Sequence, residues 1–287
     1  MKKTKFLLFI VLSLFIFSCS KKEQINQSTI KEKNLQSQVL ETFIEGKEAL
    51  DSGDVLFAAK KFTEVQVMFP QSPWAPHSNL MAAYSYYTQD YYYDATQELE
   101  IFLSKYPGHK NIDYANYLMA ICYYEQIVDE KKDLNSAIKA KKYFEIVIEL
   151  FPNSEYALDS KFKRDYVNDI LASKEMYLGR YYIKRKKWIA AINRFKTVLE
   201  KYESTIYIEE ALHRLVEVHY LIGLQEEAKK YASILGYNYK SSKWYENTYA
   251  LFDKKYKINQ KRFINENKKK SRFVGKIKSL FELDEKK

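Results

Sequence analysis

The chain is poor in the residues that break or turn a backbone: among 287 residues there are only 7 glycines and 5 prolines. A sheet-rich protein with many tight turns needs more of both, so the shortage points to long helices. Cysteine is scarcer still, with Cys19 and Cys122 the only two, which excludes a disulfide framework. Long hydrophobic runs are also missing. The apolar stretch Phe6 to Phe17 is too short to cross a bilayer as a helix. No phosphate loop, dinucleotide fingerprint or nucleophile motif is present. The four histidines, His77, His109, His213 and His219, include no pair three or four residues apart and no HExxH pattern. His213 and His219 are expected to point to roughly opposite sides of one helix, in packing or at the surface. Acid pairs such as Glu209-Glu210 and Glu226-Glu227 have the spacing of solvated helix faces, and Cys122 that of a buried small hydrophobe. No enzyme, metal site or cofactor is expected.

What is abundant is aromatic, with 26 tyrosines and 17 phenylalanines, at a mean hydropathy of −0.48. Positive charge is abundant too, but uneven. The formal net charge is +10, and residues 252–287 alone hold thirteen lysines and arginines against five acids, a net of +8. The rest of the chain is near neutral. Such a tail suits anionic lipid, nucleic acid or an acidic partner surface, or is simply solvated.

Much of the chain varies one pattern, clearest in Leu171 to Tyr202. Met176, Gly179 and Tyr182 share one helical stripe, Lys184 to Lys187 form a polar turn, and Trp188, Ala191, Ile192, Phe195 and Val198 share a second stripe. Small residues at Gly179 and Ala191 allow two helix backbones to approach, and Phe195 fills the space one turn on. A helix-turn-helix unit of about 34 residues with this logic is a tetratricopeptide (TPR) repeat.

Similar units precede and follow it. The first carries Phe43, Gly46 and Ala49, a turn at Asp51 to Asp54, then Ala58, Phe62 and Val65, closed by Pro70; the second carries Ala83, Tyr86, Ala95, Leu99 and Phe102 and closes at Pro107. In the third, Ala115, Leu118, Ala120 and Tyr123 lead to Ala140, Phe144 and Val147, with an insertion of about eight residues around Val128 to Ser136, cheap in a solenoid loop. Asn153 to Tyr166 adds a helical segment, with Tyr156, Ala157, Phe162 and Val167 in phase, ahead of the fourth repeat. The fifth uses Leu212, Leu215, Val216 and His219, then Ala228, Ala232 and Leu235, and Gly236 is expected to end it. The fold class is all-α, a right-handed TPR solenoid of about five repeats. It divides into a signal segment 1–18, a tether 19–38, repeats 1–3 over 39–152, repeats 4–5 over 153–245 and a basic extension 246–287. Such a stack offers an extended curved surface for peptides and partner proteins.

Lys2, Lys3 and Lys5, the apolar run and the sequence Ile16-Phe17-Ser18-Cys19 resemble the signal of a bacterial lipoprotein, in which Cys19 becomes the lipidated first residue. Acyl chains then supply the anchor that the peptide cannot, at about 0.8 kcal/mol per buried methylene. Ser20 after the cysteine is similar to lipoproteins sent to the outer membrane.

The ordered details resemble one family, the BamD lipoproteins of the outer-membrane β-barrel assembly (BAM) machinery. They are Phe69-Pro70-Gln71-Ser72-Pro73-Trp74-Ala75, Tyr106-Pro107-Gly108-His109, Asp113 to Leu118, Phe151 to Ala157, Arg180-Tyr181-Tyr182, Ala190 to Arg194, Glu210-Ala211-Leu212 and Leu221 to Leu224. The chain departs from the family at Lys240 and Glu203, where prolines are usual after Tyr239 and Tyr202, and at Lys132, near where an arginine commonly pairs with Asp133. The two lost prolines could shift helix ends by a turn.

The resemblance implies a non-enzymatic scaffold, lipid-anchored on the periplasmic face of the outer membrane of a Gram-negative bacterium. Its partners would be a BamA-like barrel subunit with periplasmic domains, accessory BAM lipoproteins and unfolded outer-membrane β-barrel clients, and not nucleic acid. Carried onto this chain, the client-binding candidates are Phe69, Trp74, Tyr84 and Tyr91, and the BamA-docking candidates are Arg180, Arg185 and Arg194. The alternative is a lipid-anchored TPR scaffold that recruits a periplasmic cell-wall enzyme; a third reading gives the binding mainly to the basic tail.

Overall fold

The computed structural model describes residues 34–253. Cys19, the signal segment, the tether up to residue 33 and the tail beyond Asp253 lie outside the described residues. Eleven α-helices make up the described part: α1 Leu35–Asp51, α2 Val55–Met68, α3 Ala75–Tyr87, α4 Tyr92–Lys105, α5 Ile112–Glu125, α6 Asn135–Leu150, α7 Ala157–Lys184, α8 Trp188–Lys201, α9 Ile208–Leu221, α10 Gln225–Asn238 and α11 Lys243–Phe252. Each packs on the next in chain order, so α1/α2 through α9/α10 are five helix pairs stacked as a TPR-like solenoid.

The second helix of every pair carries the same buried ladder. It reads Ala58, Phe62, Val65 in α2; Ala95, Leu99, Phe102 in α4; Ala140, Phe144, Val147 in α6; Ala191, Phe195, Val198 in α8; and Ala228, Leu235 in α10, all without solvent contact. Residues three and four apart share one face of a helix, so the ladder faces the first helix throughout. An aromatic residue then caps each of these helices: Phe69, Tyr106, Phe151, Tyr202 and Tyr239. Each cap donates its N–H four residues back and accepts from the residue three ahead, Ser72, His109, Ser154, Thr205 and Ser242, at 2.9 to 3.2 Å. The caps at Tyr202 and Tyr239 form without a following proline. The departures at Glu203 and Lys240 therefore leave the helix ends in register.

Four of the five inner turns are Schellman motifs. Gly53, Asp90, Lys186 and Gly223 have positive φ, and the next residue donates back to the first helix, as in Asp54 N to Ala49 O at 2.9 Å and Lys187 N to Tyr182 O at 2.9 Å. The third repeat differs, as the insertion predicts. Residues 126–134 form a loop pinned to α7 by the Lys174 ammonium, which donates to the carbonyls of Lys131 and Lys132 at 3.0 Å each.

Three expectations need correction. Residues 153–166 are not a separate segment before the fourth repeat, because α7 is one helix of 28 residues. No proline or glycine interrupts it before Gly179, so nothing stops propagation. Its first half joins the core of repeats two and three through Val167 and Leu171, and its second joins the next core through Ala172 and Met176. Phe162 is 67% exposed and lies off the buried stripe. Gly236 does not end α10, which runs to Asn238. It sits under the Tyr245 ring, where a Cβ would come within 3.2 Å of Cε2.

The packed structure also continues past 245. Helix α11 starts at the Ser242 cap, whose hydroxyl accepts from Tyr245 N at 3.1 Å, and closes over α9 and α10. His213 and His219 are both buried. His213 Nδ1 lies 2.8 Å from Thr248 Oγ1, with Trp244 against its ring at 5.2 Å, while His219 Nδ1 lies 2.7 Å from Leu215 O. Cys122 is buried as expected, and burial pushes its thiol up to about 12.

Two features of this packing can be measured. At Gly179 an added Cβ would lie 2.6 Å from Phe195 Cζ. Alanine gains about 1 kcal/mol in helix propensity, but overpacking costs about 1–3 kcal/mol, and the clash should win. Urea unfolding of Gly179→Ala should show a net loss, partly recovered by adding Phe195→Leu. Burial also pushes His213 down from 6.5 to about 4, aided by the neighbouring Arg214 charge. Unfolded chains then bind the extra proton between those pH values, so stability falls as pH drops from 6.5 towards 4, by up to about 3 kcal/mol. His77 and His109, also lowered by burial, add slope of the same sign. The test is therefore the difference between the parent and His213→Gln, whose slope should be shallower.

Candidate functional site

Two surfaces hold five of the seven residues expected to bind partners: Phe69 and Trp74 on one, Arg180, Arg185 and Arg194 on the other. The first is at the open end of the stack. Phe43 of α1 packs against Phe62 at 5.2 Å, Trp74 at 4.9 Å and His77 at 5.4 Å between centroids, which fixes the Phe69–Trp74 link against the start of α1. Between them lies an apolar groove of about 700 Å³, lined by Leu35, Val39, Leu40, Met68, Phe69, Pro70, Pro73 and Trp74. Because α1 has no described helix before it, this face of the first repeat is not covered as the later ones are. Trp74 is 38% exposed at the groove, while Phe69, the aromatic cap of α2, is 7% exposed and holds a structural place.

The other two client candidates are elsewhere. Tyr84 lies on α3, 6.3 Å from Tyr87, and Tyr91 is the N-cap residue of α4; both are exposed, and neither lines the groove. Between the first two repeats, the side chain of Glu98 accepts from Asn79 Nδ2 at 2.5 Å and Gln66 Nε2 at 3.4 Å, stitching α2, α3 and α4 together. Burial raises its carboxyl above the ordinary range even though both hydrogen bonds act to lower it. This network was not foreseen, since nothing local in the sequence links positions so far apart.

The second surface is at the fourth and fifth repeats. One terminal nitrogen of Arg180 reaches both oxygens of Glu210, at 3.1 and 3.0 Å, and Glu210 also accepts from Arg214 Nε at 3.3 Å. Arg214 continues to Glu217 at 2.7 Å and lies over the Trp244 ring at 5.5 Å. Arg194 pairs likewise with Glu175 of α7, at 3.3 and 3.1 Å. Arg180 and Arg194 thus tie neighbouring helices together. Arg185 is exposed, with its guanidinium 5.4 Å from the Tyr181 centroid. In the inserted loop, Asp133 accepts from Asn135 N at 3.3 Å and Nδ2 at 3.0 Å, holding the entry to α6.

A stack of helix pairs with an apolar groove that no other described helix covers at one end and a charged face at the other defines a helical-repeat scaffold that binds other proteins. Comparison with known sequences identifies which. Residues 35–235 match the family described as YfiO, outer membrane lipoprotein. The chain is 40% identical over 252 residues to the outer membrane protein assembly factor BamD of Rickettsia prowazekii, covering 88% of this chain and 98% of that protein. Against BamD of Caulobacter vibrioides it is 43% identical over 208 residues, 72% and 68% of the two chains. Against BamD of Neisseria meningitidis serogroup A it is 30% identical over 254 residues, 83% and 92%. The chain belongs to this outer membrane lipoprotein family, homologous to BamD.

The shared use of Glu210 generates an order of effects. Glu210→Gln takes the acid from Arg180 and one of two acids from Arg214, which keeps Glu217, and should cost about 1–3 kcal/mol. Arg180→Ala removes one partly exposed pair and should cost under about 1 kcal/mol. Chemical denaturation of the two variants gives the order directly.

Proposed function

We propose that this chain is the lipid-anchored scaffold subunit of an outer-membrane β-barrel assembly complex. Its role is non-enzymatic, as befits its family: it holds a BamA-like barrel subunit and accessory lipoproteins and receives unfolded barrel clients. The observation that carries the reading is the match to BamD along 98% of a relative's length. Attachment is through lipid on Cys19, in keeping with the outer membrane lipoprotein family.

The groove beside Trp74 is assigned to clients. An unfolded strand ending in an aromatic residue needs an apolar recess for that ring, and here the recess has Phe69 as part of its lining and Trp74 and Met68 exposed beside it. Tyr84 and Tyr91 contact the client beyond the groove, on the second repeat. Arg180, Arg185 and Arg194 mark the docking face for the barrel subunit. Charges at a rim set the rate and specificity of docking more than its affinity.

The experiment is peptide binding by fluorescence anisotropy, using the last ten or so residues of an outer-membrane barrel protein, labelled at the N-terminus. Trp74→Ala should weaken binding by about tenfold or more, as expected for an aromatic anchor in a pocket. Leu40→Glu, on the opposite wall, should do the same. Equal affinity for parent and both variants would remove the client role from this groove.

A further inference from the structure

The long helix α7 has a second apolar side that the packing of the repeats leaves out. Leu158, Phe162 and Tyr166 are exposed at every fourth position, and the half-buried Ile170 continues the row. Residues four apart share one slanting face of a helix, so this is one strip rather than scattered exposure. The strip leads into a hollow of about 230 Å³ between α5, the inserted loop and α7. Tyr124, Ile127, Tyr166 and Ile170 supply its apolar wall, with the two tyrosine rings 6.0 Å apart.

The charged part of the lining has one sign. Glu125, Asp129 and Glu130 line the hollow, no lysine or arginine does, and none of the three forms an ion pair among the described residues. Asp129 accepts from Lys131 N at 2.8 Å, which holds its carboxyl below the ordinary range, and Glu130 stands beside it. Two adjacent carboxylates repel each other, and a cation between them removes the repulsion. Lys163, 5.9 Å from the Tyr124 ring centre, is taken by Asp159 at 2.8 Å, and Lys174 by the loop carbonyls. The complement of this surface is a basic segment with apolar side chains every third or fourth residue.

The sequence beyond Asp253 holds one. Over 271–281 apolar residues fall at Phe273, Ile277, Leu280 and Phe281, with Arg272, Lys276 and Lys278 among them and no acid. Helix α11 ends at Phe252, whose ring lies 5.6 Å from that of Tyr220 on α9. From α9 to α7 are two helix-to-helix steps of about 10 Å each, and Tyr166 lies about 27 Å along α7 from its end. Residues 254–270 extend to about 55 Å, which covers both. A segment on the same chain also competes at an effective concentration of up to about millimolar, ahead of free partners.

We propose that residues 271–281 of this chain lie back along α7, with Phe273, Ile277 and Phe281 on the row from Leu158 to Ile170 and a basic side chain in the hollow between Glu125 and Glu130. The carboxylates exclude an anionic lipid surface as the occupant, and the apolar row asks for more than a counterion. The contact straps the third repeat to the closing end of the stack and needs neither a client nor a barrel subunit.

The test uses the purified full-length lipidated chain in mild detergent, with Val128→p-benzoyl-phenylalanine as a photocrosslinker at the exposed rim of the hollow. Mass spectrometry should find position 128 joined to a peptide from 271–281 of the same copy, and mixing isotope-labelled with unlabelled chains tells one copy from two. The yield should fall about threefold or more in about 0.5 M salt, and likewise with Glu125→Gln plus Glu130→Gln. Ile277→Ser plus Phe281→Ser, which leaves residues 34–253 untouched, should lower it as far, so lost docking is told from lost folding. Attachment across two copies, attachment only to detergent or to another segment, or a yield that either pair of substitutions leaves unchanged would each overturn the proposal.

Discussion

Much in this molecule depends on the close approach of the two helices of a pair: in the first and fourth pairs the second helix presses a bulky ring onto the backbone of the first. At Gly46 and Gly179 the contact is tight enough that even a methyl group would collide with Phe62 or Phe195. The same ladder, an alanine for approach followed by apolar bulk one and two turns later, recurs in α2, α4, α6 and α8. Neither helix of a pair could bury its stripe alone, so the pair is the unit of folding and the neighbour is what completes it. The aromatic caps at Phe69, Tyr106, Phe151, Tyr202 and Tyr239 then turn the chain into the next pair at a constant geometry.

A stack built this way has ends, and the surface of the described residues changes character where the repetition stops or is altered. At the N-terminal end the first repeat has no described helix before it, and its apolar face becomes the groove beside Trp74. At the C-terminal end α11 closes the stack with His213, Trp244 and Thr248. The turn at Lys184 to Lys187 carries four cations, where the turns of the first and second repeats carry Asp51, Asp54 and Asp90.

Much of the fold was legible in the sequence because it rests on local spacing. Ala58, Phe62 and Val65, or Ala191, Phe195 and Val198, announce a buried stripe without knowledge of what lies opposite. What stayed hidden was set by tertiary context. The join between residues 153–166 and the fourth repeat could not be read, since a continuous helix and two helices in phase share one periodicity. Gly236 looked like a stop, and its real neighbour, the Tyr245 ring, comes from a helix that begins after it. The site was legible in part. Phe69 and Trp74 stand together because they are close in the chain, whereas the engagement of Arg180 by Glu210 and of Arg194 by Glu175 joins separate helices. A list of exposed-looking arginines does not reveal which are already paired.

Whether this stack serves outer-membrane β-barrel assembly is decided by isolating the full-length lipidated chain from membranes in mild detergent and identifying what stays bound at moderate salt. A large barrel protein with periplasmic domains is expected among the retained species. Recovery of cell-wall enzymes without such a barrel protein would contradict it.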